Sequence, residues 1–238
     1  MAPDTALSSF PESQLSQPST DRILNAPPVA VAVAVSMPAL YLVQEAFADR
    51  WMALAFRPSS LWDGDWWPGL LTSMFLHGGW GHVAMNAVGA LAFGPPVARL
   101  MGGAKGVFGF LLFYIVCGLV ATGGYGLVHL NSYDSLIGAS GAVFGLMGAA
   151  LRLLGRRNNR LRPLSDRRFL TTAAVLMVVN AAAGLVGFTP GMEGARVAWE
   201  AHAFGFICGA LLIGPWAKAF ESPREAFASP PDLRDPDV

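Results

Sequence analysis

Long runs without a charged side chain set the hydropathy pattern of this chain. Six stand out: residues 23–44, 66–98, 106–133, 135–151, 169–192 and 201–217. A helix crossing a hydrocarbon core of about 30 Å needs about 20 apolar residues, within a range of roughly 17–25. The fourth and sixth runs are at the short limit, and in the second the helix is expected to begin near Trp80. Residues 29–35 alternate Val and Ala, which has the period of a strand. Both residues are apolar, so no polar face exists and a membrane helix is the better reading. The pattern predicts an all-α, polytopic membrane protein with six transmembrane helices.

Composition points the same way. Charged residues make up 13% of the chain, against about 25% in a soluble domain. Sixteen Lys and Arg balance sixteen Asp and Glu, so no net field recruits nucleic acid or another polyion. Cys117 and Cys208 lie inside apolar runs and read as small buried hydrophobes rather than a disulfide or metal framework. Neither a metal nor a cofactor is expected.

Lys and Arg set the orientation of membrane helices. Arg152, Arg156, Arg157, Arg160, Arg162, Arg167 and Arg168 lie between the fourth and fifth runs, and Arg99 and Lys105 between the second and third. The opposite loops hold Arg50, Arg57 and Arg196. The arginine-rich loop is therefore expected in the cytoplasm, together with both termini. Trp51, Trp62, Trp66, Trp67, Trp80 and Trp199 then fall on the outer side, where an aromatic belt can form. Residues 1–24 are rich in Ser, Pro and Gln and lack the basic segment that opens a signal peptide. They read as a disordered cytoplasmic tail, residues 25–219 as one helical membrane domain, and residues 220–238 as a second disordered tail.

Polar groups at membrane depth are functional candidates by default. His82 and Asn86 open the second span, Ser140 the fourth and His202 the sixth. These three helices run in the same direction, so their first turns share one layer just below the outer surface. His82 and Asn86 are four apart and share a face, which implies a common target, a wet cavity or an interhelical clasp. Gly141, Gly145 and Gly148 form a flat stripe after Ser140, and Gly205 and Gly209 form one after His202. Facing stripes of this kind let membrane helices approach closely. The approach would bring His202 within reach of Ser140 as general base for a serine nucleophile. Each feature also has a plain structural reading: a membrane serine can bond its own helix carbonyls, and glycine stripes can serve packing alone. His77 and His129 fall in outer loops and read as structural or solvent-exposed.

Other chemistries fail on particulars. The chain has no His-Glu-x-x-His zinc motif, no Asp within any run, and Ala142 where a Gly-x-Ser-x-Gly elbow needs its second glycine. Without an Asp, a Ser–His dyad is what remains. A small transporter would need a continuous polar pathway, which the inner halves of the spans lack.

These residues resemble the rhomboid intramembrane serine proteases. His77, His82 and Asn86 have the spacing His-x4-His-x3-Asn of the family's second core helix. Gly138, Ser140 and Gly141 match its Gly-x-Ser-Gly, and Ala201, His202, Gly205 and Gly209 match its Ala-His-x-x-Gly-x3-Gly. The resemblance covers about residues 24–219. It implies a rhomboid-like bundle that cleaves single-span or other membrane-anchored substrates within or near the bilayer, with Ser140 as nucleophile and His202 as base. It further implies that the Ser140 backbone N–H, Asn86 and His82 hold the oxyanion and that Gly138 keeps the backbone open to substrate. Two positions differ. Pro68-Gly69 stands where the family often has Trp-Arg, and Phe144 replaces a tyrosine that packs on the catalytic histidine. A bacterial inner membrane is the expected location. A catalytically silent rhomboid-fold chaperone that binds transmembrane helices is the alternative function.

Overall fold

The computed structural model describes residues 26–47, 50–63, 67–101, 103–154, 161–187 and 197–220. Six principal helices follow in chain order: α1 (Pro28–Ala46), α2 (Trp80–Leu100), α3 (Gly103–Val128), α4 (Ser140–Leu153), α5 (Arg167–Val186) and α6 (Trp199–Phe220). Phe220, the first residue of the expected second tail, ends α6, and the rest of the expected tails, Trp66, Arg156, Arg157, Arg160 and Arg196 lie outside the described residues.

Local sequence explains several boundaries. Pro28 stands in the first turn of α1, where its missing N–H costs nothing. Asp166 caps α5 by accepting a 2.9 Å hydrogen bond from the Phe169 N–H, and Gly187 ends it in the left-handed conformation at φ 71°.

Five of the helices are long and apolar enough to cross a bilayer, and α4 is the exception at 14 residues. At about 1.5 Å per residue it spans only about 21 Å. The fourth apolar run is therefore not helical throughout. Its first residues are extended, and Leu136 forms an isolated antiparallel bridge with Phe56 through bonds of 2.8 and 3.1 Å. The Gly138 N–H then bonds the Ser73 carbonyl at 2.9 Å. Gly138 has φ +124°, which a right-handed helix cannot include, so the helix starts just beyond it.

The short helix is the centre of the bundle. It packs against α2, α3 and most extensively α6, whereas α5 packs against α4 and α6 and does so sparingly. The fully buried side chains of Val97, Phe110, Phe113, Leu146 and Ile213 fill the space between α2, α3, α4 and α6. The two glycine stripes do meet. A methyl group added at Gly205 would overlap the Gly141 carbonyl, and one at Gly209 the Gly145 carbonyl. Along these stripes α4 and α6 meet backbone to backbone.

The segment between α1 and α2 is tied down at several points. Gln44 at the end of α1 clamps the backbone of His77, accepting from its N–H at 2.9 Å and donating to its carbonyl at 2.7 Å. Thr72 bonds the Leu54 carbonyl at 2.7 Å, and the Ser59 N–H bonds the Ser132 carbonyl at 3.1 Å. Pro68-Gly69 has its own logic here. A Cβ at Gly69 would lie 2.8 Å from the Ala55 carbonyl oxygen, so the helical turn Gly69–Thr72 rests directly on the backbone beside Phe56.

Candidate active site

Ser140 is the first residue of α4. Its backbone N–H has no carbonyl one turn earlier to bond, and the aligned peptide dipoles make that helix end attractive to negative charge. Immediately before it, Gly138 leaves room for the His82 ring. A side chain at Gly138 would lie 2.7 Å from His82 Cε1 and 2.8 Å from His82 Nε2, and 3.7 Å from Ser140 Oγ. His82 from α2 and Ser140 from α4 thus flank one small space.

His202, in the first turn of α6, reaches Ser140 from the other side. Its Nε2 is 2.7 Å from Ser140 Oγ. The ring is held on two more sides. Phe144, one turn after Ser140, stacks on it with centroids 4.2 Å apart and planes 7° apart. On the far edge, His202 Nδ1 lies 2.7 Å from Asn180 Oδ1. Asn180 sits in the second half of α5, is only 7% exposed, and donates from Nδ2 to the Trp199 carbonyl at 3.0 Å. Asn180 was not among the candidates drawn from sequence. A carboxamide in the middle of an otherwise apolar span is costly without partners, and that was the signal available for it.

The tautomer of His82 follows from its neighbours. The Gly78 N–H points at His82 Nδ1 at 3.3 Å, so in the neutral ring Nδ1 accepts and Nε2 carries the proton. That N–H donor faces the space beside Gly138 and Ser140. Asn86 is buried, and its Nδ2 donates to the His82 carbonyl of its own helix at 2.9 Å. One amide hydrogen of Asn86 is thereby used within α2, and the second remains.

Comparison with known proteins gives the arrangement a family. Residues 63–218 match the Rhomboid domain model. The chain belongs to the rhomboid family. Two relatives from Bacillus subtilis (strain 168) carry the words rhomboid protease in their names. YdcA is 30% identical over 63% of this chain and 67% of its own length, and GluP is 34% identical over 66% of this chain and 28% of its own. RHOMBOID-like protein 9, chloroplastic, of Arabidopsis thaliana is 41% identical over 37% of this chain and 18% of its own. The chain thus spans well under two thirds of the latter two relatives. This rhomboid is an integral, multi-pass membrane protein built of helices.

The remaining histidines of this rhomboid divide in two. His77 is 1% exposed, meets His82 edge-on at 5.2 Å between centroids, and has neither ring nitrogen hydrogen-bonded. Burial, and secondarily the neighbouring His82 ring, holds its pKa down to about 4, so it is neutral at pH 7. His129 follows α3, lies over Tyr125 and meets Glu200 at 3.2 Å. Cys117 and Cys208 are free thiols that adjoin one another between α3 and α6. Among the described residues no group of three His, Cys, Asp or Glu side chains is placed to hold a metal ion.

Proposed function

We propose that this rhomboid is an intramembrane serine endopeptidase that cleaves membrane-anchored substrate helices within or near the bilayer. The 2.7 Å contact of Ser140 Oγ with His202 Nε2 carries the reading. Ser140 attacks the scissile carbonyl while His202 takes its proton. The tetrahedral oxyanion forms beside the start of α4, where the Ser140 backbone N–H and the His82 Nε2–H face the same space. The free hydrogen of Asn86 is the third donor. Preorganised donors of this kind stabilise charge that develops only in the transition state. His202 returns the proton to the departing amine, leaving an acyl group on Ser140. Water, deprotonated by His202, then attacks that acyl group and restores the hydroxyl. Gly141, Gly205 and Gly209 hold α4 and α6 at the separation this exchange requires.

The arginine-rich loop orients the protein with both termini in the cytoplasm of a bacterial inner membrane, and the site then opens to the outer side. The substrates are single-span or other membrane proteins, reached through the lipid bilayer. The deciding experiment incubates detergent-purified protein with a single-span substrate, in parallel with the Ser140→Ala variant. Cleavage by wild type alone is expected. Equal cleavage by both would remove Ser140 from the mechanism. Copurification of substrate helices without cleavage by either would favour the helix-binding alternative.

A further inference from the structure

A third residue stands behind the histidine, on a helix that contributes no other polar group to the site. Asn180 of α5 bonds the Trp199 carbonyl through Nδ2 and His202 Nδ1 through Oδ1, at 3.0 and 2.7 Å. A backbone carbonyl only accepts, so the amide nitrogen must face Trp199 and the amide oxygen must face His202. An oxygen that only accepts requires a proton on Nδ1 of the neutral imidazole. Nε2 is then left with its lone pair, directed at Ser140 Oγ 2.7 Å away. A chain of three bonds thus runs from a backbone carbonyl to the nucleophile, and each link fixes the next.

The local packing holds this chain in place. Gly184 lies one turn after Asn180 on the same face of α5. A Cβ there would come within 2.8 Å of Trp199 Cδ1 and 3.0 Å of the Val197 carbonyl. The missing side chain lets the start of α6 close on α5, and that brings the Trp199 carbonyl within reach of Asn180.

We infer that Asn180 is the positioning residue of the site, an orienting carboxamide that selects the reactive tautomer of His202. The inference rests on the Ser140–His202 reading for its kinetic consequence, though the tautomer itself can be read without proteolysis. A neutral amide orients the ring but brings no counter-charge for the imidazolium. The site works with a Ser–His–Asn relay in which the third member supplies geometry alone.

The test compares Asn180→Leu and Asn180→Asp with wild type and Ser140→Ala, all as full chains in detergent. Leucine removes both hydrogen bonds with a side chain of the same branching and heavy-atom count. Aspartate keeps an oxygen for His202 Nδ1–H. Asn180→Leu should lower kcat by about 10- to 100-fold, the size of loss seen when the hydrogen-bond partner orienting a metal-bound histidine is removed, with KM unchanged. Asn180→Asp should recover most of that loss. The chain has four histidines, so ring-nitrogen NMR of isotope-labelled protein can resolve His202, assigned by its absence in His202→Ala. Wild type should show the Nδ1–H form, and Asn180→Leu a mixture of tautomers.

An unchanged His202 spectrum in Asn180→Leu would overturn the inference whatever the protease assay reports. So would wild-type kcat in that variant, or aspartate performing no better than leucine. Loss of melting temperature in Asn180→Leu without a change in tautomer would leave Asn180 a helix clasp and overturn the positioning role. Wild type no more active than Ser140→Ala would instead sink the protease reading, and the spectra would still decide the hydrogen bond.

Discussion

Phe144 lies flat on His202, with 4.2 Å between ring centroids and 7° between planes. The two residues come from different helices, and the stack covers one face of the imidazole, which the hydrogen bonds at its edge leave free. A pair of aromatic rings contributes about 0.5–1.5 kcal/mol beyond area burial. If that energy holds the ring ready for proton transfer, Phe144→Ala should lower kcat about two- to tenfold. Phe144→Tyr should retain the wild-type rate. Equal kcat in all three proteins would reduce the stack to packing.

Ser140 and His202 should behave as one unit. His202→Ala should be as inactive as Ser140→Ala, and the double variant should lose little more than either alone. Single-turnover rates on one substrate decide the matter. Losses that multiply in the double variant would mean the two groups act independently.

His82 and Asn86 differ in how they are engaged. His82 turns its Nε2–H toward the space beside Ser140, whereas Asn86 already donates one hydrogen to the His82 carbonyl at 2.9 Å. Removing one oxyanion donor typically costs about 10²–10³ in kcat. His82→Ala should show that loss, and Asn86→Ala should show it with KM little changed. A variant of Asn86 with intact kcat and a clearly lower melting temperature would leave it as a clasp within α2.

Two glycines of the bundle should respond in opposite directions. Gly209 faces the Gly145 carbonyl with no room for a methyl group, whereas Gly123 has open space around it. Gly209→Ala should destabilise by about 1–3 kcal/mol, as overpacking does. Gly123→Ala should stabilise by about 0.4–1 kcal/mol, because the unfolded chain loses freedom. Thermal melts in one detergent compare them directly.

His77 gives the protein a pH dependence of stability. Its pKa falls from 6.5 to about 4 on folding, so the unfolded chain binds the extra proton as pH drops below 6.5. Stability is then complete above pH 6.5 and is lost progressively down to about pH 4. At pH 5 the loss amounts to about 2 kcal/mol. His77→Phe should show a shallower fall in melting temperature between pH 7 and pH 5. Parallel curves for the two proteins would contradict it.

Most of the membrane architecture was legible in the pattern of charges, because lipid tolerates so few exceptions to an apolar helix. The sequence alone determined the six apolar runs, the layer shared by the first turns of α2, α4 and α6, and the small-residue stripes on α4 and α6. Spacing within a helix is a local property, so the shared face of Gly205 and Gly209 could be read without a partner. Only the tertiary structure decided what each polar atom meets. The fourth run begins as an extended segment because its backbone groups bond Phe56 and Ser73, residues far away in the chain. Gly138 at φ +124° turns that segment into the helix. Asn180 had a visible signal as a carboxamide inside an apolar run, but its partners are 19 and 22 residues away on another helix. Periodicity reports which face of a helix a side chain occupies, whereas a hydrogen bond requires two atoms within about 3 Å. That distance is set by how closely Gly184 lets α6 approach α5, and it exists only once the helices have packed.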